Sequence, residues 1–153
     1  MTPKYHIAAS TIISGILYSL FNSWAMSAAS FVTGILIDID HIVDYSIAHG
    51  LRIDIKDFFK FFYEERYRRI TLIFHGWEWL LILVLAAWQT DWNLWVTGAL
   101  IGWGQHMFFD KIFNISNFRS YSLLWRWHRD FNSDNILLRN RRRSGKDDHH
   151  KFQ

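Results

Sequence analysis

The 153-residue chain has no cysteine, which excludes disulfide bridges and thiolate metal ligation and leaves imidazole and oxygen as the side-chain metal donors. Between residues 7 and 37 there is also no Asp, Glu, Lys, Arg or His. As one helix that stretch would be roughly 46 Å long, well beyond the ~30 Å hydrocarbon core of a bilayer. It therefore predicts two apolar spans joined near Phe21, Asn22, Ser23 and Trp24. Basic residues are missing from most of the chain as well. Of 17 Lys and Arg, Lys4 precedes the first span, six fall between residues 52 and 69, and the other ten lie from Lys111 onward.

What is present is apolar and aromatic: half of the residues are hydrophobic, with 9 Trp and 13 Phe. A mean hydropathy near zero hides the segregation of charge-free stretches from charged ones. Residues 70–88 and 92–110 form a third and a fourth candidate span, separated by Gln89, Thr90 and Asp91. Small residues such as Ala8, Ala9, Ser14, Gly15, Ala28, Ala29 and Gly34 fit closely packed membrane helices. An even number of crossings places every Lys and Arg on one side, the cytoplasmic side by the positive-inside rule, with Asp91 alone opposite. Trp24, Trp88, Trp92 and Trp95 then gather at the outer interface. A soluble helical bundle is the competing reading of the same charge bias.

The expected fold is all-α and polytopic, with four transmembrane helices and interfacial helices on the cytoplasmic side. Ile55, Phe58, Phe59 and Phe62 recur at helical spacing in the central loop, as an interfacial helix requires. Phe118, Tyr121, Leu124, Trp125 and His128 repeat the pattern. Residues 1–131 form the expected membrane domain and 132–153 a basic, disordered tail. A topology signal and solvated end is the tail's expected role, with attraction to anionic lipid the alternative and nucleic acid disfavoured as a partner. No small-residue cleavage motif follows the start, so the first apolar stretch is expected to stay. The implied location is a membrane crossed several times, both termini cytoplasmic, with the lipid bilayer as the first partner.

Histidines and carboxylates recur where the spans meet that face. His6 opens the first span. Asp38, Asp40 and His41 close the second, followed by Asp44. His75 and Glu78 stand three apart, and His106 and Asp110 four apart, spacings that share one face of a helix. Ionised groups inside an apolar span are costly unless paired or metal-bound. His6, Asp38, Asp40, His41, His75, His106 and Asp110 are therefore the expected metal ligands, for one or two divalent ions, with zinc, manganese and iron all suited to the donor set. Glu78 is the expected general base, and Asp38 a second catalytic carboxylate. Each group has a plain alternative, a solvated helix end or a hydrogen-bonded pair. Their convergence on one face favours a shared centre. Asp44, His49 and His128 are expected in supporting or surface roles.

The order of an early His, then Ile37-Asp38-Ile39-Asp40-His41, a later span histidine and His106-Met107-Phe108-Phe109-Asp110 resembles the bacterial inner-membrane metal-dependent hydrolase family. The likeness covers roughly residues 1–110. The family is itself distantly similar to zinc-dependent phospholipases C. The resemblance implies a hydrolase, with a phosphoester or lipid-linked ester as substrate. A metal-ion or proton transporter and a non-enzymatic membrane adaptor are the alternatives.

Overall fold

Two polar turns set the hairpins of the bundle. Helix α1 (Pro3–Phe21) ends where Asn22 enters the left-handed region at φ 47°, and Ser23 then caps α2 (Trp24–Leu36) by accepting from Met26 N at 3.2 Å. The second turn follows α5 (Trp77–Gln89): Asp91 and Trp92 take φ 49° and 58°, and Asn93 caps α6 (Leu94–Phe113) through Trp95 N at 3.0 Å. Both turns fall where the polar residues interrupt the apolar pattern. The computed structural model describes residues 3–52, 54–63, 68–114 and 117–136.

Helix α3 (Ile39–His49) continues α2 as one rod after a tightened turn, in which Asp38 N and Asp40 N each donate three residues back at 3.3 Å. Helix α4 (Ile55–Tyr63) is the central amphipathic helix. A 3-10 turn (Phe118–Tyr121), α7 (Leu123–His128) and the single turn α8 (Ser133–Ile136) complete the chain. The architecture is all-α, with no strand among the described residues.

Helices α1, α2, α5 and α6 form the bundle, and α2 against α6 is its tightest contact. A Cβ at Gly98 would strike the Met26 backbone, and one at Gly102 the Ser30 carbonyl and Thr33 Oγ1. These two glycines, four apart, bring the helix axes together as a small-xxx-small seam does.

Polar side chains line the inside and apolar ones the outside. Helix α1 buries His6, Ser10, Ser14 and Leu17 and exposes Ile7, Ile12, Ile16 and Leu20. Helix α6 buries Gln105, His106 and Asp110 and exposes Phe108, Ile112 and Phe113. Gln105 Nε2 donates to Ser10 Oγ at 2.9 Å, and Ser27 Oγ to Ser14 O at 2.5 Å, so the inner polar groups stitch α1 to its neighbours.

The structure shifts several helix ends from their expected positions. Among the described residues, the α2–α3 rod, 26 residues from Trp24 to His49, is the helix long and apolar enough to cross a bilayer by length and composition, and α5 is apolar but shorter. Helices α1 and α6 lose mean hydropathy to the polar stripes they bury. The third helix begins at Trp77 instead of residue 70, and the fourth continues past Asp110 to Phe113. In the second amphipathic segment, Phe118 and Leu124 face outward while Ser120, Tyr121 and Arg126 are buried. Packed structure extends to Ile136, 2% exposed, beyond the expected boundary at 131. The remainder of the expected tail lies outside the described residues.

Candidate metal centre

His75 sits in an irregular loop, residues 70–76, and side chains replace the helical bonds its backbone lacks. Asp44 Oδ2 accepts from Thr71 N (2.9 Å) and Leu72 N (3.3 Å); Asp40 Oδ2 accepts from Phe74 N (2.5 Å) and His75 N (3.2 Å). From the other side, Arg126 Nη2 donates to Leu72 O (2.9 Å) and His75 O (3.0 Å). Leu72 takes φ 37°, a left-handed value outside glycine that this network holds in place. His75 and Glu78 thus do not share a helical face. The carboxylates of α3 draw residues 70–76 out of the helix.

Hydrogen bonds at Nδ1 orient two of the rings. His106 Nδ1 lies 2.9 Å from Gly34 O, and a carbonyl only accepts, so Nδ1 carries a hydrogen and, in the neutral ring, Nε2 offers its lone pair. His75 Nδ1 lies 3.3 Å from the Asp40 carboxylate, which leaves its Nε2 bare in the neutral ring. These two Nε2 atoms face each other at 3.2 Å.

Two carboxylates close on the same point. From His75 Nε2, Asp38 Oδ1 is 3.7 Å and Asp110 Oδ2 3.5 Å away; from His106 Nε2 the same oxygens are 3.5 and 3.6 Å away. Donors about 2.1 Å from a common centre at tetrahedral angles stand roughly 3.4 Å apart. The spacing here is that of the edges of such a polyhedron. Acceptors converging without a donor repel, so a cation between them, or a proton on a ring, must hold the group together. The side chains of His75, His106 and Asp110 are 1%, 0% and 4% exposed, which makes an uncompensated arrangement costly. The donor set suits a divalent ion of borderline character.

His6 and His41 flank this core. His6 Nε2 contacts the other oxygen of Asp110, Oδ1, at 3.0 Å, and its ring stacks on His106 at 3.9 Å and 14°. With His106 and Asp110 it forms one group that could hold a metal ion, while Asp38, His41 and His75 form another, the two meeting at the facing imidazoles. His41 Nε2 stands 3.7 Å from Asp38 Oδ1. Its ring meets the edge of Phe62 from α4, and its Nδ1 is buried without a hydrogen-bond partner among the described residues. With side-chain exposures of 29% and 17%, His41 and Asp38 form the accessible edge of an otherwise buried cluster.

Of the expected residues, the fold brings His6, Asp38, His41, His75, His106 and Asp110 together. Asp40 is adjacent, with its carboxylate spent on the His75 loop and on Nδ1. Glu78 stands apart. Its Oε1 accepts from Ser122 Oγ (2.6 Å) and Leu124 N (3.1 Å), and its Oε2 from Leu123 N (3.0 Å), which caps α7. Asp44 supports the loop. His49 lies 3.8 Å from Asp57 on the α3–α4 surface, and His128 is exposed. Arg126 and the Gly34 carbonyl were not anticipated. A buried arginine and a main-chain acceptor leave no distinctive residue pattern.

Comparison with protein-family models, with curated proteins and with solved structures finds no match to this chain.

Proposed function

We propose that the chain is a membrane-embedded, metal-dependent hydrolase that cleaves a phosphoester or lipid-linked ester at the cytoplasmic face of a bacterial inner membrane. The observation that carries the metal reading is the convergence of two imidazole nitrogens and two carboxylates at 3.2–3.7 Å. The preference for phosphoesters comes from the motif resemblance alone. Support for the membrane comes from the polarity of α1, which buries His6, Ser10 and Ser14 while exposing Ile12 and Ile16, the pattern expected of a helix whose outer face meets lipid. In this reading α1, the α2–α3 rod, α5 and α6 are the four crossings, with α4 and α7 lying along the inner surface.

A divalent ion, zinc in our proposal, would act as a Lewis acid that polarises the scissile ester and makes water a nucleophile near neutral pH. His75, His106, Asp38 and Asp110 would hold it, and His6 would orient Asp110. Asp38 and His41 form the approach for substrate, and His41 replaces Glu78 as the group placed to accept a proton from the attacking water.

Elemental analysis of detergent-purified protein tests the first step. Wild type is expected to carry about one zinc per chain, and His75→Ala and His106→Ala to lose it. Metal-free wild type would mean that a ring proton holds the cluster. Hydrolysis of a phosphoester panel by the metal-loaded protein, lost in His41→Ala, tests the second.

One observation favours ion transport as the alternative. The buried polar stripe continues from the cluster through Ser10, Gln105, Ser14 and Ser30, and Ser14 Oγ, Ser30 Oγ and Gln105 Oε1 have no partner among the described residues. Such groups can line an ion pathway. Zinc uptake into proteoliposomes, with no ester turnover, would decide for it.

A further inference from the structure

The C-terminal segment reaches back across the bundle to the loop that carries His75. Ile70 N donates to Phe131 O at 2.9 Å, Ser133 N to Arg68 O at 3.0 Å, and Glu78 caps α7. At the centre of this contact lies Arg126, with 0% of its surface exposed. One terminal nitrogen bonds the carbonyls of both Leu72 and His75, and Nε is buried without a hydrogen-bond partner among the described residues. Burial lowers the guanidinium's pKa, while the charges of Asp40, Glu78 and Asp44 oppose that shift.

Burying an arginine is costly unless its hydrogen bonds and neighbouring charges compensate. Here its two bonds go to the loop's carbonyls, and the two α3 carboxylates in its field, Asp40 and Asp44, take that loop's N–H groups. The loop is clamped from both sides, N–H groups by anions and C=O groups by a cation. His75 O, one end of the clamp, belongs to the residue whose Nε2 faces His106.

We propose that Arg126 is a positioning residue for the metal centre: by holding Leu72 O and His75 O, it fixes the loop that aims His75 Nε2 at the cation. This rests on the metal reading above. Arg126 reaches the centre only through the His75 backbone, so its removal should alter ligand geometry while the ligand set stays complete. Outer residues of this kind commonly set metal affinity by 10–100-fold.

The test uses the full chain in detergent, stripped of metal and titrated with Co2+, whose visible spectrum reports coordination geometry. The proteins are wild type, Arg126→Ala, Arg126→Lys and Ile136→Ala, the last a buried change in the same segment that does not touch the loop carbonyls. Arg126→Lys, folded by circular dichroism, is expected to bind Co2+ about 10–100-fold more weakly with a shifted band. Its Phe74 and His75 amides should exchange faster before metal is added. Ile136→Ala should lower thermal stability and keep the wild-type spectrum. A folded Arg126→Lys with wild-type affinity and spectrum overturns the inference while leaving the metal reading intact. Wild-type protein that takes up no Co2+ overturns the metal reading and the inference with it.

Discussion

His106 owes its role to a neighbour with no side chain. Gly34 O takes the Nδ1 hydrogen, and the same glycine lets Ser10 and Gln105 close in, where an added Cβ would collide with both. Gly34→Ala is therefore expected to displace α1 from α2 and to weaken metal binding while leaving every ligand in place; zinc content beside thermal stability reads both effects. Glu78 predicts the reverse pattern. Glu78→Gln should cost roughly 1–2 kcal/mol through the α7 cap and leave zinc content unchanged, as chemical unfolding and elemental analysis can check. At this scale the clustered residues were legible, because ionisable groups against an apolar background need a reason to be there. Their division of labour was not: Asp40 and Asp38 are two residues apart, yet one grips Nδ1 of His75 and the other faces Nε2. Only the fold of residues 70–76 separates those roles.

At the scale of elements, the α1–α2 and α5–α6 turns were visible, since polar residues interrupt apolar runs where left-handed backbone is needed. The start of α5 was not. Periodicity cannot reveal that Asp40 and Asp44, about thirty residues earlier, take the N–H groups of Thr71, Leu72, Phe74 and His75. In α7 the apolar residues Leu124 and Trp127 are exposed, as an interfacial helix requires, but the burial of Arg126 had no signal in the periodicity. The α2–α6 seam gives the sharpest prediction here. Gly102→Leu would drive a branched side chain into the Ser30 carbonyl and Thr33, and should lower stability by more than the 1–3 kcal/mol typical of an extra methylene in a packed core. Ala at Gly104, whose Cβ would meet only Leu80 at ordinary contact distance, should be nearly neutral.

For the whole molecule, the absence of cysteine is an experimental advantage. Single cysteines at Asp91 and at Arg52 can be labelled in intact cells against a blank background. The four-crossing arrangement predicts that Asp91→Cys reacts with an impermeant thiol reagent from outside and Arg52→Cys only after lysis. Equal reactivity at both, or release of the protein without detergent, would point to a soluble bundle. The distribution of basic residues is what suggests this topology in the sequence, whereas the burial of polar side chains beneath exposed apolar ones became visible only once side chains had neighbours. Serines spaced four apart on α1 read as ordinary small residues until they are seen facing inward.

The bond from Arg126 to the carbonyl of His75 ties events at the ribosome to the chemistry of the bundle. Every imidazole and carboxylate of the cluster has been synthesised once α6 is complete, yet Leu72 and His75 still lack the donor that secures them. A nascent chain halted after α6 would own a full set of ligands and no means of holding them in register. If Arg126 positions the cluster as proposed, its completion is a late step, reached when the segment after α6 folds back against the helical bundle.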